Sequence, residues 1–316
     1  MTQIDGIADE DGQLLEFFIF ALSLVSLYYG AKFITDSAVH FAKVLGVSEF
    51  VIGATIVAFG TSLPELSASL IAMLEGSGHP EIVVGNVLGS NVANIGLALG
   101  SAAMFYRIYI DRNIIETDLP FLLASVLAMF VAFIDFRITW FEGLFMILMY
   151  LSFICHEISQ HQKNDVKSNE RFKPKYIVVF VTGMVLLYLG AKYMILSILA
   201  IAVTFSLSET IISFILVALG TSLPEMSTSI IAAKDGRGDI AVGDIIGSNA
   251  FNALIIPGVS SLVGNVVVNE AFMSVALPVV VLISFLLGFM MLGNKITKFE
   301  GMMLVIIYFI TIVNML

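Results

Sequence analysis

The hexapeptide Gly60-Thr61-Ser62-Leu63-Pro64-Glu65 recurs without change as Gly220-Thr221-Ser222-Leu223-Pro224-Glu225, 160 residues later. Each copy lies inside an apolar run, 50–74 and 210–233, long enough to cross hydrocarbon as a helix. Each therefore sets a carboxylate and two hydroxyls at membrane depth, beside a proline that lacks an N–H and interrupts the helix. An ionisable group at that depth is costly, and by default it marks a site for an ion. Any fold of this chain must hold two such hexapeptides with their polar atoms turned away from lipid.

The rest of the sequence has the same membrane character. Of 316 residues, 59% are hydrophobic and only 13% charged, against about half and about a quarter in a soluble chain. The spacing predicts ten spans, at 14–33, 50–74, 82–105, 117–134, 139–156, 176–197, 210–233, 239–263, 271–292 and 299–315. The one long hydrophilic connection, 156–175, divides the chain into repeats at 1–155 and 176–316. The first 13 residues are acidic with no basic stretch, so no cleaved signal is expected. One Cys (Cys155), one Trp and four His leave little for a soluble enzyme site, and Cys155 reads as packing. A net charge of −10 without a basic face disfavours nucleic acid as a partner. The lipid bilayer is the expected surrounding, and no obligatory protein partner is expected.

Basic residues fix an expected orientation. Lys32, Lys43, Arg107, Arg112, five residues between Lys163 and Lys175, Lys234, Arg237, Lys295 and Lys298 all fall after odd-numbered spans. Only Arg137 and Lys192 fall on the other side. The positive-inside rule then puts 156–175 in the cytoplasm and both termini outside.

Two further segments are duplicated. Tyr28-Tyr29-Gly30-Ala31-Lys32 matches Tyr188-Leu189-Gly190-Ala191-Lys192, and the stretch Val84–Asn94 matches Val242–Asn252. With five spans per half, the second copy enters the membrane from the opposite face. That is the inverted repeat of secondary transporters, whose site lies at the midplane among broken helices. The predicted fold is thus an all-α membrane protein of ten helices, in two inverted repeats of five.

The chemistry of the repeats is that of hard cations. Thr61 and Glu65 are four apart, as are Thr221 and Glu225, so each pair shares a helix face. Pro64 and Pro224 free the carbonyls of Gly60 and Gly220, and those of Ala58 and Ala218 lie close by. Carboxylate, hydroxyl and carbonyl oxygens suit Ca2+ or Na+, while no sulfur or imidazole is supplied for zinc or copper. On the following span Ser90 and Asn94 share a face, as do Ser248 and Asn252, with Asn86 and Asp244 at equivalent places one turn back. For Asn91 and Asn249 a plain helix–helix hydrogen bond is an equal alternative. Asp36, Glu49 and Glu209 read as solvated surface.

The two Gly-Thr-Ser-Leu-Pro-Glu copies, each followed by Gly-Ser-Asn-x-x-Asn, resemble the α-repeats of the sodium/calcium exchanger family, within the calcium:cation antiporters. The resemblance covers nearly the whole chain. It implies a plasma-membrane antiporter, not an enzyme, that exchanges cytoplasmic Ca2+ for external Na+ with no cofactor other than the transported ions. It carries the central glutamates to Glu65 and Glu225. Hydroxyl and carbonyl ligands are carried to Thr61, Ser62, Ala58, Thr221, Ser222 and Ala218, with Ser90, Ser248, Asn94 and Asn252 completing the site. Archaeal members carry an aspartate where this chain has Asn252 and an asparagine where it has Asp244. That moved acid makes Asp244, with Asn86, a candidate coupling-ion or proton site. A proton-coupled or potassium-dependent antiporter is the alternative. A channel ranks lower, because it needs a continuous pore and the chain carries its own opposed pair.

Overall fold

An apolar run in hydrocarbon has no water to satisfy its backbone, so it must coil on itself. The computed structural model describes residues 10–74, 80–161, 171–204, 222–270 and 272–315, and these are helical apart from loops and four two-residue strands. Helix α1 (Glu10–Leu45) is followed by a broken span. It comprises α2 (Glu49–Ile52), a π-helical turn at Gly53–Val57, α3 (Ala58–Thr61) and α4 (Leu63–Leu74). Next, α5 (Pro80–Ala93) passes through a second π segment, Asn94–Leu99, into α6 (Gly100–Phe105). Helices α7 (Arg112–Phe133), α8 (Trp140–His161) and α9 (Lys175–Thr204) follow. The chain continues through α10 (Leu223–Lys234) and α11 (Gly238–Val263). A third π segment, Phe272–Ala276, leads into α12 (Leu277–Met291), and α13 (Lys298–Met315) follows.

Six of the described helices are long and apolar enough to cross a membrane. The pair Glu49–Thr61 and Leu63–Leu74, bent by 41°, makes a seventh candidate span. The chain is a multi-pass membrane protein. Among the described candidate spans α11 is the most enclosed, 94% buried over its most apolar stretch, against 22% for α1. Around α11 pack α5, α7, α8, α10 and the Gly53–Val57 turn. Outward faces carry Phe18, Val131, Val178, Leu282 and Phe289, all exposed, as lipid-facing side chains must be.

Four strands tie the helix ends in two antiparallel pairs. β1 (Ile108–Tyr109) pairs with β4 (Lys295–Ile296), and β2 (Arg137–Ile138) pairs with β3 (Val266–Val267). β2 and β4 each run into the same helix start. Thr139 and Glu142 form a capping box at α8, with the Thr139 N–H donating to Glu142 Oε2 at 2.8 Å. Thr297 and Glu300 do the same at α13, at 2.7 Å. The underlying sequence match, Ile138-Thr139-x-Phe141-Glu142-Gly143 with Ile296-Thr297-x-Phe299-Glu300-Gly301, is a repeat that the polar motifs overshadowed.

Helix contacts are reciprocal as well. A Cβ on Gly30 of α1 would stand 2.8 Å from Leu187 N of α9, and one on Gly190 would stand 3.0 Å from Leu27 N. Small residues permit this approach of backbones. Leu27 and Leu187 are themselves equivalent positions in the two halves.

Several boundaries differ from the sequence expectation. The first helix continues to Leu45 rather than ending at 33, because no breaker occurs until Gly46, whose φ of 68° only glycine adopts freely. Asp36 is therefore on a helix rather than in a loop, 3.1 Å from Lys32. Glu49 opens α2 and pairs with Arg237 at 2.7 Å, so it is not simply solvated. At 36 residues, α1 is about 54 Å long, well beyond the hydrocarbon thickness of about 30 Å. Likewise α8 runs to His161, into the stretch assigned to the connection, and α9 runs on to Thr204. Glu209 lies outside the described residues.

Candidate functional site

The break in the second span falls at Ser62, with φ −91° and ψ 3°, between α3 and α4. Ser222, the equivalent residue, opens α10 with φ −99° and ψ 7°. Ser62 and Ser222 therefore take the same backbone conformation at the start of the helix that follows. Pro64 and Pro224 sit in the first turn of the helix that follows, where their missing N–H costs nothing. Glu65 and Glu225 occupy the same first turns, where the exposed N–H groups favour negative charge.

A Ser-x-x-Glu sequence at a helix start ordinarily closes on itself as a capping box. Here it does not. Ser222 makes no side-chain cap bond. Beyond an approach to its own backbone N–H, neither carboxylate oxygen of Glu65 has a hydrogen-bond partner among the described residues. Glu225 Oε1 lies 3.5 Å from the Ser62 hydroxyl of the other half, and Oε2 has no described partner. Both acids are buried, as is Asp244.

Asp244 is brought to the first hexapeptide by α11. Gly243 and Gly247 let this helix lie against Phe50 and Ala54, backbone on backbone. Asp244 Oδ1 then accepts from the Thr61 hydroxyl at 3.1 Å and stands 3.5 Å from the Ser248 hydroxyl. Thr61 and Ser248 hydroxyls are 3.4 Å apart. Helix α11 has no break near Gly247, so Asp244 does not reach towards Asn252 but serves the opposite end of the same helix face. Glu225 lies within electrostatic reach of both Glu65 and Asp244. Three buried acids thus share one region, and no salt bridge among the described residues reaches them. Buried charge without compensation is strongly unfavourable, so the trio requires cations or protons.

The amides frame this region. Asn94 begins the second π segment and Asn252 lies mid-way along α11; both are fully buried. Their side-chain oxygen and nitrogen atoms have no hydrogen-bond partner among the described residues. Buried polar groups are otherwise nearly always paired, so four orphaned atoms point to a ligand-facing surface. A π turn offsets the backbone bonding and often marks function. Two of the three described π segments lie in the spans that carry Thr61 and Asn94.

The remaining expected residues divide by role. Asn86, expected beside Asp244, instead donates to the Glu65 carbonyl at 2.8 Å and to the Ser69 hydroxyl at 2.9 Å, so it positions the start of α4. Ser90 is buried, 3.5 Å from Asn86 Oδ1. The Ala58 carbonyl accepts from Ser62 N–H at 3.0 Å, with the Thr61 hydroxyl 3.3 Å away. Thr221 and Ala218 lie outside the described residues. For Asn91 and Asn249 the plain contact is present, with Asn249 Nδ2 donating to the Asn91 carbonyl at 3.2 Å. Ser69 escaped the sequence reading. Its signal is a hydroxyl four residues after each hexapeptide glutamate, Ser69 after Glu65 and Ser229 after Glu225.

Comparison with known proteins agrees with this geometry. The family model described as sodium/calcium exchanger protein matches residues 15–158 and 175–316. Sodium/calcium exchanger MaX1 of Methanosarcina acetivorans is 32% identical, covering 93% of this chain and 96% of its own. An uncharacterized membrane protein of Methanocaldococcus jannaschii is 31% identical, over 94% of this chain and 96% of its own. The solved sodium/calcium exchanger from Methanococcus jannaschii superposes with a TM-score of 0.82 at 30% identity, over 95% of this chain and 98% of that one. Its relatives of that name are transporters, not enzymes. The chain belongs to the sodium/calcium exchanger family.

Proposed function

We propose that this protein is a secondary antiporter that moves Ca2+ out of the cell in exchange for external Na+. The observation that carries the reading is the convergence of Glu65, Glu225 and Asp244, all buried, with the hydroxyls of Thr61, Ser62 and Ser248 between them. Carboxylates and hydroxyls of this kind form the all-oxygen shell that Ca2+ takes. Glu65 and Glu225 are the charged Ca2+ ligands. Thr61, Thr221, Ser62, Ser222, Ala58, Ala218, Ser90, Ser248, Asn94 and Asn252 supply neutral oxygens for Ca2+ and Na+ in turn. No further cofactor is needed.

The same electrostatics explain why transport is exchange. Three acids in a low-dielectric interior cannot readily cross between open states without cations, because the bare charges lose water and gain nothing. Reorientation then requires Ca2+ or its replacements, and one species leaves as the other arrives.

Ten spans in two inverted repeats, 1–155 and 176–316, joined by a cytoplasmic 156–175, complete the proposal. Both termini face the outside of the plasma membrane. Support comes from the matching backbone conformations of Ser62 and Ser222, the two family-model matches, and the reciprocal strand pairs. β1 of the first half reaches β4 of the second, while β2 of the first reaches β3 of the second.

Asp244 favours a second reading, coupling to protons. Two charges on Ca2+ against three carboxylates leave one negative charge, which a proton on Asp244 would neutralise. Uptake of 45Ca2+ into proteoliposomes loaded with Na+, K+, Li+ or only a pH gradient tests both. Uptake driven by internal Na+ at equal pH supports the sodium reading. Uptake driven only by the pH gradient replaces it with the proton reading, and uptake under no gradient rejects antiport.

A further inference from the structure

A groove of about 590 Å3 runs between α1 and α9 beside their glycine crossing. On α1, Ile19, Leu22, Ser26, Tyr29 and Phe33 recur every three or four residues and form one wall. The stretch of α9 from Leu186 to Tyr193 forms the other. Both serines in the groove donate to backbone carbonyls, Ser23 to Ile19 and Ser26 to Leu186, each at 2.8 Å. The walls therefore offer carbon to whatever fills them.

Phe33 also lines a second cavity, of about 550 Å3, where the chemistry changes. Lys32, Lys175 and Arg237 line it together with Asp36 and Asp235. Charges gathered at one level of a membrane protein mark the place where hydrocarbon gives way to water. Lys32 lies between the two acids, 3.1 Å from Asp36 and 2.8 Å from Asp235, and Arg237 pairs with Glu49 at 2.7 Å. An ammonium has three donors and a guanidinium five, so both keep N–H groups beyond these pairs. Lys175 has no ion pair among the described residues and lies over the Tyr176 ring, 5.2 Å from its centroid. Thr35, 1% exposed, lines the same cavity, and its hydroxyl has no hydrogen-bond partner among the described residues. A buried hydroxyl left in that state points to a ligand. The repeat does not duplicate this polar set: Leu15, Ile195 and Leu196 stand where Lys175, Thr35 and Asp36 have their equivalents.

We infer that the basic cavity and the α1–α9 groove together bind one anionic glycerophospholipid. Its phosphate lies among Lys32, Lys175, Arg237 and the Thr35 hydroxyl, and one acyl chain follows the α1 face from Phe33 to Leu22. Three cations against two acids leave the lining of the headgroup cavity positive, which suits a phosphate and not a neutral or cationic head. Between Phe33 and Leu22 the helix rises about 17 Å, close to the roughly 15 Å that one leaflet contributes to the hydrocarbon. The bilayer around a multi-pass protein supplies such a molecule at this depth. Bound there, it bridges α1, α9 and the turn between α10 and α11 that carries Asp235 and Arg237.

Native mass spectrometry of the full protein in detergent tests this, with equal amounts of dioleoylphosphatidylglycerol and dioleoylphosphatidylcholine added. The two lipids share their chains and differ in headgroup charge. The first lipid bound is expected to be phosphatidylglycerol. K175Q is expected to cut that preference about fivefold, one basic residue's share of the attraction to an anionic lipid. L22W, which fills the groove, is expected to lower the bound fraction by about fivefold or more, and K295Q, outside both cavities, to match the wild type. Should one variant fail to fold, the other carries the comparison. Equal binding of the two lipids by the wild type, or wild-type lipid binding in folded K175Q or L22W, overturns the proposal. Displacement of phosphatidylglycerol by inorganic phosphate also overturns it and makes the basic cavity a free-phosphate site. A lipid-free dimer that L22W abolishes overturns it as well and assigns the groove to a second copy of the chain. The readout needs no transport, so its failure is distinct from failure of the antiport reading.

Discussion

Gly247→Ala places one methyl group where the structure has no room for it. The added Cβ falls on the backbone carbonyl of Ala54, closer than real Cβ contacts are found, and neither atom is the end of a flexible side chain. The Gly53–Val57 turn and α11 must separate by about 1 Å to restore ordinary contact, and overpacking of this kind costs about 1–3 kcal/mol. Removal of a helical glycine returns at most about 1 kcal/mol. The same movement would stretch the Thr61–Asp244 bond from 3.1 Å to about 4 Å, beyond hydrogen-bond range. Apparent Tm in detergent and initial 45Ca2+ flux per protein are the assays, with G293A as control, because the nearest atoms to a Cβ there are 3.7 Å and 4.0 Å away. G247A is expected to lower Tm by a few degrees and flux by about tenfold or more, the equivalent of about 1.4 kcal/mol, while G293A matches the wild type. Wild-type flux and Tm in G247A would refute the backbone-contact account of how Asp244 is held.

Other outcomes follow from the same geometry. D244N is expected to change the dependence of flux on Na+ concentration and pH more than Ca2+ affinity, since Ca2+ keeps both glutamates; unchanged curves at unchanged protein level would reduce Asp244 to scaffold. N86A removes the donor to the Glu65 carbonyl and the Ser69 hydroxyl, and is expected to cost about 1–3 kcal/mol as an unsatisfied buried group, read as a fall in Tm; an unchanged Tm contradicts the positioning role. A cysteine at Lys167, with Cys155 replaced by Ala, is expected to react with an impermeant reagent only from the cytoplasmic side of oriented vesicles. External reaction would reverse the orientation.

Glu65 and Glu225 were legible as buried acids because each sits in a hexapeptide that apolar packing cannot explain, and the duplication marks both at once. The broken second span was legible from Pro64, but the point of bending was not. Proline disfavours helix in the preceding residues without specifying which one turns, and the turn falls at Ser62. Asp244 was legible as an odd buried acid, whereas its contact with Thr61 depends on how α11 crosses the Gly53–Val57 turn, which no spacing within one helix reveals. Ser69 was illegible as a single hydroxyl in an apolar helix. Glu157 was hidden by a boundary: with span five ending at 156, it reads as the first solvated residue of a connection, and only continuation of α8 to His161 buries it. Side-chain chemistry repeated in sequence was readable, while contacts made by two distant helices were not.

The most direct measurement of the central claim is 45Ca2+ uptake through E65Q and E225Q in Na+-loaded proteoliposomes, with folded protein quantified in each preparation. Each substitution keeps the size and polarity of the side chain and removes one negative charge from a site that must hold a divalent cation. Both variants are expected to lose Ca2+ uptake almost completely while retaining the elution profile of the wild type. Near-normal uptake in both would mean that the paired glutamates do not hold the transported ion, and the account of the site would be wrong.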